Sequence, residues 1–250
     1  MMKLETGSVA PNFELPDEQT MPWVLSGHLG LGPVLLVFYR GDWCAYDNGQ
    51  LAGLARNFDD FERRGVQVAG ISVDPSPRNL EMFNKLSLTF PLLCDPQGDV
   101  ARLYGLWDSC ESLTSPAVVA VSQDGSIEEI LTGEDFADRP DKDEISRVVK
   151  SLGRRSSGDS YRGGSQQVSV SVEDTESSVR AGHPAMSLGE MLTYFDGALL
   201  SSGLISSRLQ AKRSSSRTLD EVARTENTLK TYREYLAETA RLQGLEVFPR

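Results

Sequence analysis

Cysteine and histidine are scarce in this 250-residue chain: three cysteines, Cys44, Cys94 and Cys110, and two histidines, His28 and His183. So few cysteines, odd in number, exclude the disulfide framework of a small secreted domain, and the thiols read as free in a reducing compartment. Neither histidine lies near a cysteine in the sequence, so no zinc-ligand spacing is present. No apolar run approaches the roughly 18 residues of a membrane span. The opening MMKLETGS has no apolar segment of the kind a signal peptide uses. GHLGLGPV (27–34) lacks the G-x-G-x-x-G spacing and precedes a strand, so it is no phosphate loop. The expectation is a cytoplasmic protein with no metal, no other cofactor and no membrane partner.

Positive charge is also in short supply. The formal net charge is −11, which argues against a nucleic-acid partner because phosphates are repelled. The deficit is confined to one part of the chain. Residues 1–150 hold 24 acidic and 12 basic side chains, whereas residues 151–250 hold 12 and 13. Two regions with different roles are implied.

From about residue 34 the pattern alternates between short apolar runs and helical periodicity. VLLVFY (34–39) and VQVAGISVD (66–74) read as strands, FPLLCD (90–95) as a short strand or extended piece, and AVVAVS (117–122) and IEEIL (127–131) as strands. QDGS (123–126) joins the last two through an Asp-Gly turn. Helices are expected from Tyr46 to Arg64 on Leu51, Leu54, Phe58 and Phe61, and from Pro77 to Leu86 on Leu80, Phe83 and Leu86. A short one follows at Gly98–Tyr104, and a closing one at Asp141–Leu152 carries Ile145, Val148 and Val149 and stops at Gly153. The fold class is α/β, a mixed sheet sandwiched by helices, over residues 1–152.

Composition shifts at Gly153. Residues 153–186 are rich in Ser and Gly, and so poor in large apolar side chains that they read as a flexible linker. VSVSV (168–172) alternates, but a lone strand is not stable. Residues 187–250 form a helical C-terminal module. Ser187 with Glu190 and Thr218 with Glu221 are capping-box patterns. In the second helix Leu219, Val222, Leu229, Tyr232, Leu236 and Ala240 share one face, with Gly244 as the stop. That stripe needs a surface: the other helix, the main domain, a second copy or a partner protein.

FYRGDWCAYDNG (38–49) carries the chemistry. Cys44 follows the first core strand and precedes the first long helix. A helix N-terminus stabilises a thiolate and lowers its pKa, and Arg40 adds positive charge. Asp42 and Asp47 oppose this. Trp43 shapes any pocket beside the thiol. Cys110, in the polar stretch WDSCESLTS, is the candidate resolving thiol, while Cys94 on an apolar strand reads as buried and structural.

GSVAPNFELPD, PVLLVFYRGDWCAYDNGQL, VQVAGISVD, FPLLCDPQGDVARLYGL and SPAVVAVSQDGSI follow one another as in the alkyl hydroperoxide reductase/thiol-specific antioxidant (AhpC/TSA, peroxiredoxin-like) redoxins. Residues 1–152 resemble that family. The resemblance implies a thioredoxin-like fold of the peroxiredoxin type, and electrons from a thioredoxin-type protein or a small thiol. In the most similar subgroup the loop reads Y-R-G-x-W-C-P-x-C. Tyr39, Arg40, Gly41, Trp43 and Cys44 match it, Ala45 replaces the proline and Asp47 the second cysteine. Against the typical P-x-x-x-T-x-x-C loop, the peroxide-reacting cysteine falls on Asp47, the threonine on Cys44 and the proline on Arg40. The arginine that those enzymes place before a late strand is absent from TSPAVV. Pro116 falls where thioredoxin-like folds place a cis-proline, so a cis Ser115–Pro116 bond is expected.

Two functions are open. One is a thiol oxidoreductase acting on peroxides or disulfides through Cys44, with Tyr39, Arg40, Trp43, Ser115 and Pro116 around the substrate and Asp47 at the peroxidatic position. The other is an inactive redoxin-fold binding or assembly protein that uses its C-terminal helices, including for homo-oligomerisation.

Overall fold

Every residue of Val34–Phe38 is buried. A strand apolar on both faces needs cover on both, and the chain supplies it. The computed structural model describes residues 4–154, 161, 163–176, 178–179 and 184–247. In chain order the first elements are β1 (Phe13–Pro16), β2 (Pro22–Val24), α1 (Leu25–Leu29), β3 (Val34–Phe38), α2 (Ala45–Arg56), α3 (Phe58–Glu62) and β4 (Gln67–Ser72). There follow α4 (Ser76–Leu86), β5 (Leu92–Cys94), α5 (Asp99–Leu103), β6 (Trp107–Asp108), β7 (Leu113–Thr114), β8 (Ala117–Val121) and β9 (Ile127–Thr132). The last are α6 (Lys142–Arg154), β10 (Val168–Ser169), α7 (Leu188–Ala211) and α8 (Ser216–Leu242).

The central sheet has the order β5-β4-β3-β8-β9. β3 pairs parallel with β4 and antiparallel with β8, so the sheet is mixed. Alternate residues of β3 enter different cores. Leu35 and Val37 pack with α2, α6 and the C-terminal helices, while Val34, Leu36 and Phe38 pack with β1, α1 and α5. The turn between β8 and β9 needs Gly125 at φ +88°, which glycine adopts without strain.

Several elements depart from the pattern in the sequence. The helix expected over Tyr46–Arg64 breaks at Asn57 into α2 and α3. α4 buries Ser76, Asn79, Met82 and Leu86, leaving Leu80 exposed. His28 lies in α1, a helix that the sequence pattern does not mark, and its ring stacks on Trp23 at 4.3 Å. α6 runs through Gly153 to Arg154. The cap of α8 is Ser215, whose hydroxyl accepts the Thr218 N–H, so Thr218 is not the cap. The capping box at Ser187 and Glu190 is present. His183 lies outside the described residues, as does part of the stretch 153–186. The described part of that stretch is anchored to the main domain. β10 pairs parallel with β1, the Tyr161 hydroxyl donates to the Ala10 carbonyl, and the Val179 N–H donates to the Pro96 carbonyl.

The apolar stripe of α8 packs on both α7 and α2. Leu229, Tyr232, Leu236 and Ala240 are buried there. This explains why α2 is buried from Ala45 to Leu54, polar Asn48 and Gln50 included: the sheet covers one face and α8 the other. Glycine makes the approach possible. A Cβ at Gly49 would lie 2.6 Å from the Tyr232 side chain, and one at Gly53 would lie 2.5 Å from the Tyr235 ring. Gly49→Ala is therefore expected to cost about 1–3 kcal/mol, as overpacking does, despite the better helix propensity of alanine. Chemical denaturation of the two proteins checks it.

Candidate functional site

The loop from Arg40 to Trp43 links β3 to α2 and is held by backbone-directed bonds. Gly41 sits at φ +154°, and a Cβ there would meet Trp43 Nε1 at 2.7 Å. Cys44 is the N-cap of α2, yet its side chain makes no capping bond. Asp47, in the first turn, reaches back instead. Its Oδ2 accepts the N–H groups of Arg40 at 2.8 Å and Gly41 at 3.2 Å. Its Oδ1 accepts Arg139 Nη2 at 2.6 Å. Both side chains of that ion pair are fully buried.

Arg139 is the site residue that the sequence reading missed. It lies between β9 and α6, 92 residues from Asp47, in the polar stretch EDFADRPDKD. The one local signal is an Arg-Pro pair just ahead of a helix, which says nothing about a distant carboxylate.

The Cys44 thiol is 4% exposed. Its pKa is pushed up to about 12, first by burial and second by the Asp47 carboxylate; Arg139 and Arg40 offset this only in part. The opposing charges around Cys44 thus resolve in favour of the neutral thiol. Cys44 shares an apolar cluster with Met191, Phe195, Leu229 and Tyr232 of the C-terminal helices. Its neighbour Tyr46 makes edge-to-face contacts with Phe136, Tyr194, Phe195 and Tyr232.

Other expected site residues are placed differently. Tyr39 is fully buried, and its hydroxyl donates to Asn79 Oδ1 at 2.7 Å, away from any open pocket. Arg40 lies over Trp43 and Phe136, 4.9 and 5.1 Å from the ring centres, and its guanidinium pairs with Glu111. Cys110, next to Glu111, is exposed and bonded to no other cysteine. Cys94 is buried, 3.1 Å from Ser76 Oγ and 3.3 Å from Asn79 Nδ2, as a structural residue would be. The Ser115–Pro116 bond is not cis; no cis bond occurs among the described residues. The Ser115 N–H donates to the Leu106 carbonyl at 2.7 Å, and Ala117 opposite Phe38 puts Pro116 at the same sheet end as the loop. Among the described residues no group of three His, Cys, Asp or Glu side chains is arranged to hold a metal. None of the helices described is long and apolar enough to cross a membrane.

A second acidic cluster flanks the loop. The Asp42 N–H donates to Asp74 Oδ2 at 2.7 Å, and Arg78 pairs with Asp42. Burial, reinforced by the Asp42 charge, raises the Asp74 pKa to about 7. In the unfolded chain an aspartate titrates near 3.9. Below pH ~4 the carboxyl is neutral in both states. Between pH ~4 and the folded pKa of about 7 only the unfolded chain loses the proton, so stability falls as pH rises; above that the loss is constant. Asp95, raised by burial to about 6, adds a slope of the same sign. Asp74→Asn is expected to flatten the pH dependence of the unfolding midpoint and to stabilise the protein at pH 8 by a few kcal/mol. Asp95, together with Asp42, whose pKa burial also raises, leaves the remaining slope.

Comparison with known proteins decides the family. The AhpC/TSA family matches residues 6–130. The chain belongs to the AhpC/TSA family. It is 31% identical over 126 residues to alkyl hydroperoxide reductase E of Mycobacterium tuberculosis, covering 50% of this chain and 82% of that protein. It is 36% identical over 108 residues to peroxiredoxin Bcp of Escherichia coli, covering 43% and 68%. Thiol-disulfide oxidoreductase ResA of Geobacillus thermodenitrificans is 28% identical over 128 residues, covering 51% and 69%. The crystal structure of peroxidoxin BcpB from Mycobacterium tuberculosis superposes with a TM-score of 0.55 at 24% identity, over 62% of this chain and 99% of that one. That likeness bears on the fold, which is the thioredoxin-like fold of peroxiredoxins. This AhpC/TSA member thus sits among thiol peroxidases and thiol-disulfide oxidoreductases. Arg139, α6 and both C-terminal helices lie beyond the matched residues 6–130.

Proposed function

We propose that this AhpC/TSA member keeps the redoxin fold as a scaffold, has lost peroxide reduction at position 47, and acts as a binding and assembly protein through its C-terminal helices. The observation that carries the reading is the Asp47 carboxylate. It stands where the family resemblance puts the peroxide-reacting thiol, and it is held by two backbone amides and the buried Arg139 guanidinium. An ionised carboxylate so engaged accepts hydrogen bonds but supplies no thiolate. Cys44 does not replace it, because with a pKa of about 12 its thiolate fraction at neutral pH is about 10⁻⁵.

The assembly role has its own support. Leu200, Leu204 and Ile205 are 62%, 54% and 51% exposed in the half of α7 that follows its buried residues Leu188, Met191 and Phe195. The occupant we assign to this face is a second copy of the chain. Sedimentation of the full chain is expected to show a dimer or larger species, and Leu200→Glu with Leu204→Glu to reduce it to a monomer. The same preparation is expected to consume hydrogen peroxide no faster than free cysteine. A monomeric wild type, or peroxide turnover lost in Cys44→Ser, would overturn the reading.

A second reading is a thiol oxidoreductase working through Cys44, with Cys110 resolving and a thioredoxin-type protein or small thiol as reductant. Its support is that Cys44 caps α2 and that Arg139 and Arg40 both act to lower its pKa. Peroxide-dependent formation of a Cys44–Cys110 disulfide, mapped by mass spectrometry, would favour it.

A further inference from the structure

Charge is unevenly spread along α7. From Gly197 to Leu219 the chain holds Arg208, Lys212, Arg213 and Arg217 and no acidic residue, although its net charge is −11. All four are exposed, at the end of α7, in the turn and at the start of α8. Further along α8, Arg224 and Arg233 pair with Asp138 and Asp196. The four at the tip form no ion pair among the described residues.

The other end of α7, its root, is acidic. Glu190 lies in the first turn. Phe136 and Tyr194 both set their rings edge-to-face on Tyr46, at 5.9 and 6.1 Å. The segment that carries exposed Glu134 and Asp135 therefore borders the root of the helix. Among the described residues neither of these two carboxylates pairs with a base.

A helix turns about 100° per residue. Leu200 and Leu204 thus lie on the side of α7 opposite buried Met191 and Phe195. Glu190 and Arg208, about five turns apart, flank that exposed side on one line. The free face runs from an acidic root through leucines to a basic tip. Such a face complements itself in one sense only. A second copy laid antiparallel about a two-fold axis near Leu200 sets Glu190 within one turn of the partner's Arg208, and exposed Ile205 level with the partner's Tyr194. A parallel pairing would stack the two basic tips, and like charges in contact are unfavourable.

We propose that two copies of this chain pair antiparallel along α7, the basic tip of each docked on the partner's acidic root. The pairing rests on the assembly role proposed for α7 and fixes its face and its sense.

Sedimentation of the full chain tests it. The wild type is expected to form a dimer whose Kd rises at least about tenfold between about 50 and about 500 mM NaCl, because exposed charges are screened by salt. Two variants alter one end each. The tip variant is Arg208→Glu with Lys212→Glu. The root variant is Glu134→Lys with Asp135→Asn, whose amide oxygen still accepts the Ala137 N–H. Each alone should weaken the dimer at least about tenfold. Mixed in equal amounts they should dimerise again, because every tip then faces a root of opposite charge. If the root variant fails to fold, Glu190→Gln replaces it. Its amide keeps the capping acceptor, and the dimer should weaken about threefold. A dimer indifferent to salt and to both ends, yet lost in Leu200→Glu with Leu204→Glu, would overturn the pairing and leave the assembly role standing. Loss in the tip variant alone would overturn it too, since the root would not be what the tip meets. A wild type that is monomeric in solution would overturn both, and its sedimentation with phosphatidylglycerol vesicles would give the tip to a membrane instead.

Discussion

Asp47→Ala is expected to destabilise the protein by about 3–5 kcal/mol, a large share of the total stability of a typical domain. The reason is what stays behind. Arg139 is fully buried and Asp47 is its ion-pair partner, so the variant leaves a guanidinium charge in an apolar interior. It also strips the Arg40 and Gly41 N–H groups of their acceptor, at the mouth of the helix that α8 grips. Asp47→Asn should lie between, since the amide oxygen still accepts one bond but carries no charge. The informative experiment is a double-mutant cycle. Replacing the pair together, Asp47→Leu with Arg139→Met, removes both charges, and such swaps of buried ion pairs are often near neutral. The double variant should therefore be more stable than Asp47→Leu alone. Urea denaturation at pH 7 measures each corner. Equal losses at all corners would mean that the pair contributes through shape and not through charge.

Much of the scaffold was legible because it rests on short-range signals. The runs at 34–39, 66–74 and 117–122 are apolar on both faces, and each is a strand of the central sheet. What stayed illegible depends on distant partners. The apolar spacing of Leu51, Leu54, Phe58 and Phe61 says nothing of Asn48 and Gln50, which are buried because α8 arrives nearly 200 residues later to cover them. Leu80 fits a helical stripe, but the sheet takes the face of α4 that carries Asn79 and Met82. Thr218 and Glu221 match a capping box one turn too late, because Ser215 is equally competent and lies upstream. At the site the loop was visible and its charge balance was not. Arg40 is the arginine the sequence offers, but it is drawn off to Glu111, Trp43 and Phe136. The arginine that meets Asp47 comes from a loop with no pattern of its own. The expected cis-proline had only position to support it, and the bond is trans.

Asp47→Cys is expected to create a peroxide-reactive thiol where the wild type has none. The surroundings of Asp47 already suit an anion: two amide N–H groups aimed at one oxygen, a guanidinium on the other, and the first turn of α2 behind them. Each stabilises a thiolate as it does a carboxylate. A cysteine there should titrate well below an ordinary thiol. Moving a pKa from about 8.5 to about 6 raises the thiolate fraction at pH 7 roughly thirtyfold. Against Cys44, held near 12 by burial and by the carboxylate that this substitution removes, the gap is larger still. Sulfur is shorter in reach than a carboxylate, so part of the Arg139 contact is lost, and a stability cost smaller than that of Asp47→Ala should accompany the gain. The measurement is the second-order rate with hydrogen peroxide in a Cys44→Ser, Cys110→Ser background, compared with the same background carrying Asp47 so that buried Cys94 is subtracted. Its pH profile should rise with a midpoint near pH ~6 and level off above about pH 7. A fast, low-pKa thiol would mean that the fold still holds an anion-activating pocket and that the aspartate alone silences it. A slow one, titrating like free cysteine, would mean that the lid of α7 and α8 excludes peroxide whatever stands at position 47, and that the loss of chemistry lies in the added helices as much as in the loop.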